Sequence, residues 1–163
     1  MTPVRILAAA MIGVLTFVAP AFAVQFTGEV TGVPHGDTLL VQHEGTVRTI
    51  RLHGLLAPEK GQPYAEQAAA FLAKAAMGQT VQVIPMSKGR QKAVSAEVLL
   101  DGKSLNDQLV REGLAWWNHK QIRGGRLRTL QAAARAERRG LWADPDPIPP
   151  WDWRKGVRPT KKD

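Results

Sequence analysis

The chain has 163 residues and a formal net charge of +8, from 22 Lys and Arg against 14 Asp and Glu. It contains no Cys, which excludes disulfides and a lipoprotein anchor. The basic excess favours polyanionic partners such as nucleic acid, although a basic surface also suits anionic lipid or polysaccharide.

The first 23 residues have the pattern of a secretory signal peptide. Arg5 precedes an apolar run over 6–18, and small residues stand at Ala21 and Ala23. The run is short for a membrane span, so we expect a periplasmic or secreted protein that leaves the membrane after cleavage. A retained anchor is the alternative. The remaining 140 residues are a normal size for one domain, which we predict over 24–154 with a flexible basic tail over 155–163. They carry a net charge of +7.

Strands dominate the first part of the mature chain. Alternating polar and apolar residues predict three of them in succession, over 25–33, 39–42 and 47–52. Turn residues separate these strands and favour antiparallel pairing. An amphipathic helix is predicted next, over 62–76, with Pro63 at its first helical position and Gly78 as its stop.

Two further strands, over 80–85 and 96–100, bring the number to five. Five strands with an inserted helix favour a small Greek-key barrel of the OB type. Ser104 and Asp107 resemble a capping box that opens a second helix, and a last helix is predicted over 126–139. The predicted fold class is therefore α+β, mainly β, with about three helices.

The hairpin formed by the second and third strands carries the first candidates for chemistry. It folds Asp37, in the turn before the second strand, back toward Arg51 and Glu59 at the end of the third. Carboxylate oxygens bind hard cations, and the guanidinium group of Arg binds phosphate through two hydrogen bonds. These three residues suit a hard cation and a phosphodiester.

Several motifs occur in a recognisable order. The chain has HGDT at 35–38 and RLHGLLAPE at 51–59, followed by QPYAEQA, Gly89 and Arg90, LNDQLVREGLAWW, RGLW and PPWDWR. Taken together, they resemble the staphylococcal-type thermonucleases, whose usual pattern is D-G-D-T followed by R-L-x-G-I-D-A-P-E. The resemblance covers residues 26–154 and implies an OB-type barrel with calcium-dependent nuclease activity.

The resemblance implies roles for the three hairpin residues. Asp37 corresponds to a calcium-binding Asp, Glu59 to the general base that activates water, and Arg51 to an Arg that binds phosphate. Simpler roles stay open for each of them. Asp37 can cap backbone N–H groups in its turn. Arg51 can be the charged residue that strand alternation places between two apolar ones, and Glu59 can be a solvent-exposed acid after a Pro.

Three more candidates lie later in the chain. Arg90 follows Gly89 as the family's second catalytic Arg does, and Lys88 stands where the family usually has Tyr. We predict a catalytic role for Arg90 and substrate contact for Lys88. His119 is predicted to face the substrate, since the family tends to place Tyr there.

The sequence departs from the family pattern at the proposed metal. Leu56 replaces the second Asp of the D-A-P-E element, and His35 replaces the first Asp of the turn. Calcium needs six to eight oxygen ligands, so we expect weak binding. The loop after Arg90 is about three residues longer than usual, which displaces that guanidinium from the phosphate. His35 and His53 are expected at the surface rather than as ligands.

Three functions follow from these observations. The first is an exported phosphodiesterase that hydrolyses DNA or RNA as a monomer with a weakened calcium site. The second is a barrel that has lost catalysis and binds nucleic acid or another polyanion. The third is a periplasmic protein-docking domain. A salt-dependent DNA shift without cleavage favours the second, and no shift at low salt favours the third.

We expect the exported protein to begin at Val24, because Ala21 and Ala23 fit the signal-peptidase pocket. The intact mass of the exported form measures this directly. A mature protein that still begins at Met1 would contradict both the signal peptide and the exported location.

Overall fold

The computed structural model describes residues 24–86 and 93–159 of the chain. These ranges contain eight strands and four α-helices. The strands are β1 (Phe26–His35), β2 (Thr38–His43), β3 (Thr46–Leu52), β4 (Leu55–Leu56), β5 (Thr80–Pro85), β6 (Ala93–Leu100), β7 (Lys103–Ser104) and β8 (Trp116–Trp117). The helices are α1 (Ala65–Ala76), α2 (Leu105–Arg111), α3 (Arg126–Ala136) and α4 (Pro150–Trp153), with a 3-10 helix over Gly140–Ala143.

Five of the strands close into a barrel. β1 pairs antiparallel with β2 and β5, β2 pairs with β3, and β5 pairs with β6. A parallel ladder between β3 and β6, from Thr49 opposite Ala93 to Leu52 opposite Ala96, completes the ring. The predicted mainly β fold of the OB type is therefore confirmed.

Inward-facing aliphatic side chains fill the barrel. Those that the barrel strands bury completely include Val30, Leu39, Val41, Ile50, Val81, Val83 and Val98. Helix α1 packs on this core through Ala68, Leu72 and Ala76, so its small residues allow close approach to the sheet. Full burial of one such Val or Leu side chain is worth about 1.5–3 kcal/mol, which makes this core the main source of stability.

A second apolar cluster attaches the C-terminal third of the domain. Trp116 of β8 and Trp142 of the 3-10 helix meet edge to face, with ring centroids 5.7 Å apart. Ala134 and Leu141 complete the cluster, and the Arg135 guanidinium lies 4.2 Å from the Trp142 ring centroid. Helix α3 is therefore held beside β8, near the mouth of the barrel.

The predicted start of helix α1 and the predicted end of helix α3 were wrong. Helix α1 begins at Ala65 instead of 62, because Tyr64 adopts a left-handed conformation (φ 68°) and Pro63 precedes the helix. Helix α3 ends at Ala136 instead of Arg139, because Arg138 is also left-handed (φ 54°). The cap of α2 is confirmed, since the Ser104 hydroxyl accepts a hydrogen bond from the Asp107 N–H at 3.1 Å.

Some predictions concern residues that the structure does not describe. The signal segment 1–23, the loop residues Lys88 and Arg90, and the last four residues of the basic tail lie outside the described ranges. Within those ranges, no helix combines the length and the hydropathy that crossing a bilayer requires.

One buried amide connects helix α2 to the barrel at its parallel seam. Asn106 has no exposed surface, and its Oδ1 accepts a hydrogen bond from the Val98 N–H at 3.0 Å. Its Nδ2 donates to the carbonyls of His53 at 3.0 Å and Ala96 at 3.2 Å. The His53 carbonyl follows β3 and Ala96 belongs to β6, so this side chain spans the two strands that close the ring.

We expect Asn106→Leu to lower the free energy of unfolding by about 3 kcal/mol. The change leaves the Val98 N–H and the His53 carbonyl buried without these partners, and each such loss costs about 1–3 kcal/mol. Gln108→Leu, a similar change at a half-buried position of the same helix, is the control and should cost far less. Urea unfolding of the three proteins measures this, and equal losses in both variants would contradict it.

Candidate active site at the mouth of the barrel

A cavity of about 590 Å³ opens where β3 ends and β6 begins. It brings together Asp37, Arg51 and Leu56, three of the positions that the motif singles out. The other lining residues are Leu52, Leu55, Ala93, Ser95, Asn118, Lys120 and Gln121. The cavity is therefore the candidate active site.

The turn before β2 places Asp37 against the core. Gly36 leaves no room for a side chain, since a Cβ there would lie 2.5 Å from the Ala68 Cβ. The residue Asp37 is 8% exposed; its Oδ1 accepts from the Thr38 hydroxyl at 2.8 Å and its Oδ2 from the Ala57 N–H at 3.3 Å. One of these donors is a hydroxyl and the other is a backbone N–H from the segment after β4, so the carboxylate connects its turn to that segment.

Arg51 stands at the point where two ladders meet. It lies opposite Thr38 in the antiparallel ladder with β2 and opposite Ser95 in the parallel ladder with β6. Its side chain is exposed and lines the cavity. The strand register therefore places Arg51 next to the turn that carries Asp37, and both residues line the cavity.

The residues around Asp37 do not make a complete calcium site. Leu56 pairs with Trp116 between β4 and β8 and lines the cavity with an isobutyl group. Among the described residues no three acidic or His side chains gather closely enough to hold a metal ion. Calcium needs six to eight oxygens, so these residues fit it poorly.

Glu59 lies outside the cavity lining. Its N–H donates to the Gln62 Oε1 at 2.9 Å, and its carboxylate forms an ion pair with Arg154 just after α4. Both partners of this pair are partly exposed. The general base that the resemblance implies is thus engaged with the C-terminal segment.

The remaining predicted site residues are distributed differently. His119 is exposed and lies between the rings of Trp117 and Trp151, at centroid distances of 6.1 and 5.7 Å, rather than in the cavity lining. Lys88 and Arg90 lie outside the described residues. Ala93, at the start of β6, lines the cavity.

Sequence reasoning missed the polar residues of the cavity floor. The Ser95 Oγ lies 2.9 Å from the His53 Nδ1 and 3.1 Å from the Gln121 Nε2, and the Gln121 Oε1 accepts from the Gly54 N–H at 2.9 Å. Burial lowers the pKa of His53 below its usual value, although Glu97 opposes this. His53 is half-buried rather than at the surface. No short motif links these residues, because they meet only through the β3–β6 ladder and the turn after β8.

Comparison with known proteins now decides the family. Residues 49–144, which include the end of β3 and every cavity-lining residue except Asp37, match the family described as Staphylococcal nuclease homologue. The chain belongs to this family. The match supports a nuclease-type hydrolase at the family level, and nucleases of the family are generally calcium-dependent.

Curated relatives of this staphylococcal nuclease homologue agree. It is 35% identical to an Escherichia coli protein named Uncharacterized endonuclease, over 83% of this chain and 89% of the other. It is 31% identical to a Shigella flexneri protein named Micrococcal nuclease, over 94% of this chain and 93% of the other. The Arabidopsis thaliana protein named Staphylococcal-like nuclease CAN1 is 32% identical over 67% of this chain and 34% of its own length.

We expect Glu59→Gln to lower the rate of single-stranded DNA cleavage by about 10²–10⁴-fold, since general-base catalysis contributes on that order. Arg154→Gln breaks the same ion pair but leaves the carboxylate, so its rate should stay within a few-fold of wild type. Cleavage rates and melting temperatures of both variants separate the two roles. Equal losses of rate would show that Glu59 serves only to hold the C-terminal segment.

Proposed function

We propose that this protein is an exported phosphodiesterase that hydrolyses nucleic acid, with a weakened calcium site. Arg51 binds the phosphate and stabilises the charge that develops on its oxygens, and Glu59 takes a proton from the attacking water. Arg90 is proposed as a second cation for the same phosphate. Lys88 and His119 are proposed to contact the rest of the substrate.

The observation that carries this proposal is the position of Arg51 beside Asp37 in one open cavity. A guanidinium group presents a planar fork of donors that matches phosphate geometry. The β2 and β6 ladders on both sides of β3 hold the backbone of Arg51 in place. A scissile phosphate can therefore be oriented at this point before water attacks it.

Glu59 requires one rearrangement before it can act. Its carboxylate forms an ion pair with Arg154, which holds it against the C-terminal segment. The pair is partly exposed, so it contributes little to stability and breaking it costs little free energy. In the proposed mechanism, Arg154 turns away as substrate enters and Glu59 then faces the attacking water.

The proposed substrate is DNA or RNA, and the proposed location is the periplasm or the exterior. Support for the substrate comes from the net charge of +7 after signal cleavage and from the nuclease names of the relatives. Support for export comes from Arg5 and the apolar run that follows it. We propose that the mature protein acts as a monomer.

A second candidate is a nucleic-acid-binding domain without catalysis. It is favoured by Leu56 and Ala93, two apolar residues that line the cavity beside Arg51. Binding through Arg and Lys needs no metal, since phosphate neutralisation is electrostatic. A salt-dependent shift of single-stranded DNA without cleavage would identify this function.

We expect Leu56→Asp to increase nuclease activity and to lower the calcium concentration that it requires. The new carboxylate would face the cavity that Asp37 adjoins and supply one direct oxygen ligand. One ligand worth about 1.4 kcal/mol corresponds to a tenfold gain, which is the smallest increase expected. Calcium titrations of cleavage rate and of melting temperature measure it.

Leu56→Asn is the matched control, because the Asn side chain has the same shape as Asp without its negative charge. It should gain less than Leu56→Asp in both titrations. Robust wild-type cleavage at micromolar calcium, or a Leu56→Asp variant that neither binds calcium better nor cuts faster, would contradict a weakened calcium site. A loss of stability without calcium is expected for the Asp variant, since Leu56 is half-buried.

A further inference from the structure

The cavity at the barrel mouth carries more positive than negative charge. Its charged lining residues are Arg51, Lys120 and Asp37. The Asp37 carboxylate is nearly buried, and its oxygens already accept hydrogen bonds from Thr38 and Ala57. A ligand that enters therefore meets two cationic side chains and little free carboxylate, a field that attracts anions.

The turn that carries Lys120 is attached to the barrel by its backbone. The Asn118 N–H donates to the Gly54 carbonyl at 2.8 Å, and the Gln121 N–H donates to the Asn118 carbonyl at 3.0 Å. The Lys120 N–H donates to the Asn118 Oδ1 at 3.2 Å. These bonds hold the Lys120 backbone over the cavity, so part of the ordering cost is already met before a ligand binds.

The floor of the cavity supplies polar groups that are also held in place. The Ser95 hydroxyl is bonded to His53 and to the Gln121 amide, which in turn is fixed by the Gly54 N–H. Both Ser95 and Gln121 line the cavity together with Arg51. Neutral hydrogen-bonding groups next to two cations suit a bound phosphate.

The lysine and the missing carboxylate balance each other in charge. A calcium ion with two carboxylates has a net charge of zero. Lys120 with Asp37 alone, since Leu56 is neutral, also has a net charge of zero. Arg51 therefore acts against the same background charge in both arrangements.

We infer that this cavity binds a phosphate group of nucleic acid without a divalent cation. Lys120 and Arg51 supply the positive charge, and Ser95 and Gln121 supply hydrogen bonds. The identity of the ligand as nucleic acid rests on the proposed function, whereas the independence from metal rests on the residues of the cavity.

The test measures binding of a 5′-phosphorylated thymidine dinucleotide to the mature chain by calorimetry, in excess EDTA and in excess calcium. The two Kd values should agree within about twofold, since no ligand contact uses the metal. In EDTA, Lys120→Gln and Arg51→Gln should each weaken binding about tenfold or more, because each removes a charged hydrogen bond. Lys74→Gln, the same change at an exposed position of α1, is the control and should leave Kd unchanged.

A Kd more than tenfold weaker in EDTA than in calcium would overturn the inference, and so would equal effects of Lys120→Gln and Lys74→Gln. Metal-independent binding together with no cleavage under any condition would support the inference and overturn the proposed nuclease. Cleavage together with calcium-dependent binding would do the opposite. The two proposals can thus fail separately.

A calcium measurement supplies a second test that does not depend on nucleotide binding. Lys120 repels a cation in this cavity, so Leu56→Asp with Lys120→Gln should bind calcium at least about tenfold more tightly than Leu56→Asp alone. Calorimetric titration of calcium into both proteins measures the difference. Equal calcium affinities would overturn the placement of Lys120 as the substitute cation.

Discussion

The geometry of the site depends on the closure of the barrel between β3 and β6, and the buried amide of Asn106 reinforces that closure from helix α2. The parallel ladder brings Ser95 opposite Arg51. A buried polar group is costly unless it is fully bonded, so an amide with three backbone partners fixes one arrangement of the strands. The cavity lies where β3 ends and β6 begins, so its shape depends on this arrangement of the two strands.

Much of the fold and part of the site could be predicted because their causes are local. The alternation of polar and apolar residues located the barrel strands. The register of the hairpin between β2 and β3 brings Asp37 near Arg51. The start of α1 was missed because the Gln62 side chain bonds the Glu59 N–H and the Ile148 carbonyl, so the chain turns at Tyr64 instead of continuing a helix from Pro63. The contacts of Gln62 therefore outweigh the local preference of Pro for the first position of a helix.

The rest of the site depends on contacts that no short motif encodes. Ser95 and Gln121 meet across 26 positions, and Glu59 meets Arg154 across 95. Leu56 was recognised as a departure from the family, but its significance changes once Lys120 is seen in the same cavity. In the proposed metal-independent binding, the neutral Leu56 and the cationic Lys120 act together on the charge of one cavity.

The ion pair between Glu59 and Arg154 also orders events along the chain. The segment from β1 to β6 ends at Leu100 and already includes Asp37, Arg51 and Ser95. The partner of Glu59 comes 54 positions after that end, and closing so long a loop is slow because its entropy must be lost before the contact forms. Asp37, Arg51 and Ser95 can therefore reach their places before the C-terminal segment packs, and the ion pair of Glu59 forms only when that segment joins the barrel.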